Sequence, residues 1–599
     1  MRCAFMIVAL LISGSALADY HFDLGRLFPS DIAEEMQRDA LVSRVDEFNS
    51  QPAPDPLVAA RVVAWLEGYE SLLEELQKHE TYVYLKSEMD HDDSTDSHAD
   101  AQIGDVIARL KGSVEHTVGN WDSSARQKLT ESDGEVGRYA HFINSTTSRG
   151  MPEHVAEAVR LLADPAIASL GESYVTLRRK LMRTIPPGQS QDSAEERFTA
   201  RFQPFEARQD DFAALLLPIV TVGNGKAKLQ GFASAPEAAY ARAGLPVAAV
   251  SDALTTLRRT GAYERYVSII AGTAANRLHI PTNEVRAWTL ESADEYQPPP
   301  VEFPAALQSI LRAERRLGGE IASQYQRLFD PAAGRVEWCR DESCDDSGFS
   351  VGFAGMTSGL FYGAFRGTTD NVRALAHEAG HAVHRQLLNE NQPLAIYNTG
   401  PSFMFESFAI FSDLLALDHL YRTGRSPAEQ AYYLHQFLED AIHNVYGSAV
   451  EVDLETSMYA GAQAGTLRRA TDLDKLSLEV ISRYIPVPAR DPRMQVLWAR
   501  NRLYFTDPLY DVNYLFAGLL ALEYLHRLES DVGFQRGYVA LLKNGFTDTS
   551  EHLTEGYLKI DLRNTALLAQ NAAALIESRA KDLGILYARV ESARRNSRK

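Results

Sequence analysis

Between residues 27 and about 201, apolar side chains return every three or four positions, in stretches such as 58–76 and 155–170. That period matches one face of an α-helix, so a helical bundle is expected at the N-terminal end. One acidic interruption, 87–105, carries Asp90, Asp92, Asp93, Asp96 and Asp100 beside His91 and His98. It lacks the Gly and terminal Glu of an EF-hand loop and reads as a solvated turn between helices. Pro298, Pro299, Pro300 and Pro304 then stiffen the chain and end any helix, which suggests a boundary near 296–305. Between 335 and 367 the helical period lapses. The Gly, Val, Ser and Phe residues of 349–353 and 359–363 read as short strands of a small sheet. From Asp370 onward the pattern is helical again, without tandem repeats.

At 599 residues, 45% hydrophobic and 23% charged, the composition is that of a folded globular chain. Its 80 acidic and 60 basic residues leave a formal charge of −20, a field that repels phosphate and makes nucleic acid an unsuitable partner. Residues 1–18 have the form of a secretory signal: Arg2, an apolar run over 4–12, and the small-residue site Ala16-Leu17-Ala18. Export to the periplasm or the medium is therefore expected. Ser13 and Gly14 break the apolar run well short of the roughly 20 residues that span a bilayer, and no later segment is expected to cross one. Cys3 would leave with the signal. The remaining Cys339 and Cys344 suit a local disulfide in an oxidising compartment, with two free thiols as the alternative.

The chemistry is concentrated in Thr369-Asp370-Asn371-Val372-Arg373-Ala374-Leu375-Ala376-His377-Glu378-Ala379-Gly380-His381-Ala382-Val383-His384. Val372, Leu375, Ala376, Ala379, Ala382, Val383 and Leu387 form an apolar stripe, so a buried or half-buried helix over 370–388 is expected, with Thr369 or Asp370 as its cap. His377 and His381, four positions apart, are about 40° apart around a helix axis and can converge on one metal ion. Glu378 follows directly, which completes the H-E-x-x-H pattern of zinc peptidases, with the Glu as general base. A third ligand is still needed, with an open position left for water. Glu406 offers one. It lies among apolar neighbours in Pro401-Ser402-Phe403-Met404-Phe405-Glu406, where Ser402 is expected to cap a new helix and an unpaired buried carboxylate would cost several kcal/mol. His384 reads as a core or hydrogen-bonded residue, Gly380 as a point of close backbone approach, and Asp413 as either an orienter of a ligating His or a solvated surface residue.

With Glu406 placed 25 residues after His381, and Gly367 to Val372 preceding the motif, this region resembles the thimet oligopeptidase and oligoendopeptidase F family of zinc peptidases. Weaker similarity extends to Tyr82-Val83-Tyr84-Leu85, to the stretch 328–339 and to 545–562. The resemblance implies a mainly α, elongated, two-lobed fold with a deep central channel and a small β-sheet beside the active-site helix. It also implies one Zn2+ held by His377, His381 and Glu406, short peptides as substrates, and Tyr510 and Tyr514 as substrate-facing phenols that stabilise an oxyanion. The chain departs from the family pattern at Phe505, where a His is usual, at Ala517, where a Tyr is usual, and at Asn371 and Thr399, where acidic residues are usual.

The resulting expectation is an exported zinc oligopeptidase with a helical lobe over 19–235, a catalytic domain over 236–590 and a basic tail over 591–599. Its oligomeric state is open. A peptidyl dipeptidase using the same zinc site, or a catalytically impaired zinc-containing peptide-binding protein, are the alternatives.

Overall fold

The computed structural model describes residues 20–89, 94–131, 134–146, 155, 158–184, 193–294, 296–339, 348–352 and 355–597. The signal-like segment, Cys344, and Asp90, His91, Asp92 and Asp93 of the acidic stretch lie outside the described residues. Cys339 is disulfide-bonded.

The fold is mainly helical, as its periodicity foretells, and it has two large apolar cores. Helices Asp31–Ser50, Ala59–Met89 and Ser94–Gly119 supply most of the first, in which Leu41, Val45, Leu66, Leu73, Leu110 and Val114 are buried. The first of these helices starts where the Ser30 side chain accepts the Ala33 N–H at 3.3 Å, satisfying one donor that the helix leaves free. Leu394, Ala395 and Tyr397 join this core although they lie far along the chain. They are held there by Glu70, whose carboxylate accepts the backbone N–H groups of Ala395 and Ile396, and by Tyr397, whose phenol donates to the Arg138 carbonyl at 3.0 Å. Burial pushes the Glu70 carboxyl up to about 7, with those two backbone donors opposing the rise.

The second core runs from Tyr20 and Tyr174 through residues 198–587. The long helix Thr565–Ser597 lies across helices Val247–Arg259, Ala262–Leu278 and Pro427–Ile442 and buries Leu568, Ala572, Ile576 and Leu583. Helix Gln209–Leu229 alone, among the described residues, is long and apolar enough by composition to cross a membrane. It contains Pro218, and its Phe212, Leu216 and Ile219 are buried in the second core.

The expected sheet is present: β1 (Val336–Trp338), β2 (Gly348–Val351) and β3 (Gly359–Tyr362), in the order β1-β3-β2. Strand β3 pairs parallel with β1 and antiparallel with β2, and Phe361 faces Glu337 on one side and Phe349 on the other. The Phe349 and Phe361 rings stack at 4.7 Å. Three-residue β1 escapes the sequence reading because alternation needs a longer run to register.

The motif helix spans Thr369–Asn391. Its cap is Thr368, one residue ahead of the positions expected. The Thr368 hydroxyl accepts the Asn371 N–H at 3.1 Å, and the Asn371 amide oxygen accepts from the Arg366 N–H at 2.8 Å. An amide oxygen thus performs the capping that a carboxylate would perform at position 371. Helix Ser402–Thr423 packs against it. Here Ser402 is the first helical residue and not the cap, because Pro401 holds the preceding position in an extended conformation without a side-chain cap. The two helices approach closely at Gly380, where a Cβ would stand 2.6 Å from Ser412 Oγ and 3.2 Å from Ala409 Cα. Gly380→Val is expected to destabilise the protein by roughly 1–3 kcal/mol through overpacking. The denaturant midpoint, compared at unchanged slope, measures it.

Candidate active site

Helical spacing places His377 directly beneath His381, with ring centroids 4.9 Å apart and ring planes at 88°. Glu406 arrives from the neighbouring helix: its Oε2 lies 3.4 Å from His377 Nε2 and 3.7 Å from His381 Nε2. One ligand atom from each of the three residues falls within 4.8 Å of the others, the one such group of His, Cys, Asp and Glu among the described residues. A tetrahedron whose ligands sit at about 2.0–2.1 Å from its centre has edges of about 3.3–3.4 Å. The donor set, two imidazoles and a carboxylate, and its spacing both fit a divalent transition metal with one position left over.

The surroundings hold these three side chains in place. Asp413, two turns beyond Glu406 on the same helix, is almost fully buried and places Oδ2 3.0 Å from His377 Nδ1. A carboxylate only accepts, so Nδ1 carries a proton and Nε2 is the ring nitrogen turned to the cluster, where it can bind a metal once its own proton is lost. Arg373 stands behind Asp413, at 3.7 Å, and also 3.4 Å from Asp440. Burial opposes charge on His377, but Asp413, Glu406 and Glu378 outweigh it and raise its pKa well above the ordinary value. Burial likewise works to raise Glu406, yet hydrogen bonds from His377 and His381 hold it far below the usual carboxylate range. Replacing Asp413 with Asn keeps the shape and removes the charge. Metal affinity is expected to fall about 10- to 100-fold, read by competition with a chromogenic chelator.

Glu378 faces a cavity of about 360 Å³ shared with His377, Asp413, Glu451, Asp511 and Tyr514. Burial raises its pKa, with His381 and His377 pulling the other way. Strand β2 passes close over it: a Cβ on Gly348 would meet Glu378 Cγ at 3.1 Å, so the missing side chain there makes room for this carboxylate.

His384 is no ligand. It is buried with its ring 5.0 Å from Phe405 and 4.5 Å from Phe408, and burial, aided by Arg385 and His381, lowers its pKa well below normal. Tyr510 precedes helix Asp511–Ser530, and its phenol donates to Glu406 Oε1 at 3.1 Å. The preceding residue, Leu509, has φ 68, a left-handed conformation that a branched side chain resists, and its N–H is held by Glu455 Oε1 at 2.8 Å. Tyr514 meets Tyr510 edge-on at 5.4 Å. Burial raises both phenols, with Glu406 next in effect, so each stays a proton donor at neutral pH. Phe505 is fully buried and stacks on Tyr174 at 3.9 Å, and Ala517 is equally buried. Sequence reasoning missed Arg373, although it lies four positions before His377 on the same helical face. It also missed Asp440 and the strained Leu509, for which no local pattern gives a signal.

Residues 365–572 match the model of peptidase family M3. That segment, about a third of the chain, resembles the domain of this peptidase family. The matched segment includes the three clustered side chains together with Glu378, Tyr510 and Tyr514. An oligoendopeptidase F homolog of Lactococcus lactis subsp. lactis (strain IL1403) is 22% identical over 435 residues, 70% of this chain and 68% of the relative. Among solved structures, oligoendopeptidase-F from Enterococcus faecium superposes with a TM-score of 0.65 at 15% identity, over 93% of this chain and all of that one. A Chlamydophila abortus protein described as a peptidase reaches 0.76 at 17% identity, covering 94% and 98% of the two chains. The fold shared with these structures thus extends well beyond the matched segment, through the N-terminal helices and the sheet.

Proposed function

We propose that the protein is an exported zinc-dependent oligopeptidase that hydrolyses peptide bonds in short peptides. The observation that carries this reading is the convergence of His377, His381 and Glu406, with His377 and the adjacent Glu378 lining one cavity. Zinc in that cluster would supply Lewis acidity toward a carbonyl oxygen and lower the pKa of water to about 7. Glu378, buried and with a raised pKa, is suited to take the proton from the attacking water and return it to the leaving amine. Asp413 holds the His377 ring in the tautomer that offers Nε2. The Tyr510 phenol, parked on Glu406, and the neighbouring Tyr514 phenol are donors within the site that can turn toward a developing oxyanion.

Tyr510→Phe is therefore expected to lower kcat about 10²- to 10³-fold with a smaller change in KM. Steady-state kinetics on one quenched-fluorescence peptide measure it, and an unchanged kcat would assign the phenol to orienting Glu406 alone.

The reading as a whole is tested by mass spectrometry of the products from a mixed peptide pool. Internal cleavages of short peptides are expected. Exclusive release of C-terminal dipeptides would make the enzyme a peptidyl dipeptidase, and an unaltered pool would leave only a peptide-binding role.

A further inference from the structure

A second cavity, of about 820 Å³, adjoins the one that holds Glu378, since His443, Glu451 and Asn501 line both. In a chain of formal charge −20, it gathers four arginines: Arg178, Arg201, Arg500 and Arg502. Guanidinium groups held together repel one another unless counter-charge, water or a bound anion answers them. The carboxylates in this cavity are already engaged or disfavoured as anions. Glu291 pairs with Arg201 at 3.0 Å and Arg197 at 3.6 Å. Glu439 lies 3.8 Å from His435. Burial and the nearby Asp511 raise the Glu451 carboxyl well above its ordinary range, so it adds little negative charge.

Arg502 is exposed to water, but among the described residues no side-chain hydrogen bond or ion pair reaches the guanidinium groups of the more buried Arg178 and Arg500, and Arg178 Nε is buried without a partner. Arg500 is held by an aromatic shelf, its guanidinium 4.7 Å from the Phe202 ring centroid and 6.0 Å from that of Phe205. Stacking of this kind fixes the plane of the group and leaves its N–H edge available. Burial, with repulsion from Arg201 and Arg178, already disfavours its charge. An anion would relieve both conditions.

We propose that Arg178 and Arg500 form a carboxylate-binding subsite that takes a carboxylate of the peptide substrate, either its free C-terminus or an Asp or Glu side chain. The proposal rests on the oligopeptidase reading for its ligand. The planar guanidinium fork matches a carboxylate bidentately, and the shared wall joins this subsite to the cavity in which a peptide bond would meet Glu378.

The test uses metal-loaded Glu378→Gln protein, so that peptides bind without turnover. Three matched peptides are titrated calorimetrically: one with a free C-terminus and no acidic side chain, its C-terminal amide, and that amide with one internal Glu. At least one carboxylate-bearing peptide is expected to bind about tenfold or more tightly than the neutral amide, with an advantage that shrinks as salt is added. Which of the two binds tightly assigns the carboxylate to the C-terminus or to a side chain. Arg500→Ala and, separately, the half-exposed Arg178→Ala should remove the advantage while retaining the melting transition of the parent. Equal affinity for all three peptides, or an advantage that survives both substitutions, would overturn the subsite. An arginine-dependent preference in a protein that cleaves nothing would uphold the subsite and defeat the peptidase reading. Cleavage without any acid preference would do the reverse.

Discussion

Glu378→Gln is expected to retain its metal and lose peptide turnover by about 10²- to 10⁴-fold. Gln keeps the length and shape of Glu, so it still fits beneath Gly348, where an added Cβ would stand 3.1 Å from the Glu378 Cγ. It cannot accept a proton. Glu378 is not one of the three clustered ligands, so His377, His381 and Glu406 remain as they are. The loss should therefore appear in kcat, with metal content and melting temperature close to those of the parent. Wild-type turnover in the metal-loaded variant would remove Glu378 from the chemistry. Loss of metal together with activity would instead make it part of the binding set.

Glu406→Ala should have the larger effect on the metal itself. Spreading the roughly 10–16 kcal/mol of a structural zinc site over four ligands gives about 3 kcal/mol, or more than about 10²-fold in affinity, for each one. That exceeds the effect expected of Asp413→Asn, which leaves all three ligands in place. The substitution also frees the Tyr510 phenol and removes the carboxylate that both imidazoles face at 3.4 and 3.7 Å. Protein prepared with limiting zinc should contain well under one equivalent and show no measurable cleavage. Retention of a full equivalent, with activity, would exclude Glu406 as a ligand.

Much of this site is legible in the sequence because its core is local. Two imidazoles at i and i+4 on an apolar helix have one geometric outcome, and a carboxylate among Phe403, Met404 and Phe405 demands a partner. Asp413 was visible for the same reason, lying two turns from Glu406 on one helix, although only the fold brings it to His377 and removes it from solvent. Other features depend on contacts between distant parts of the chain. Glu70 meets Ala395 and Ile396 across 325 and 326 residues, and Arg373 reaches Asp440 from a different helix. The left-handed turn at Leu509 is imposed by Glu455, a partner that no periodicity points to. Cap positions shift by a residue for a subtler reason. Thr368 and Thr369 are chemically equivalent candidates, and the choice falls to Thr368 because Asn371 then completes a reciprocal cap.

The dependence of peptide cleavage on a single bound metal tests the central reading most directly. Purified protein is assayed on a quenched-fluorescence peptide library as isolated, after chelation and dialysis, and after addition of one equivalent of Zn2+, with metal content measured by mass spectrometry at each stage. The expected result is cleavage that disappears on chelation and returns with one zinc per chain. Undiminished cleavage by metal-free protein, or no cleavage of any peptide by protein carrying one full equivalent of zinc, would contradict it.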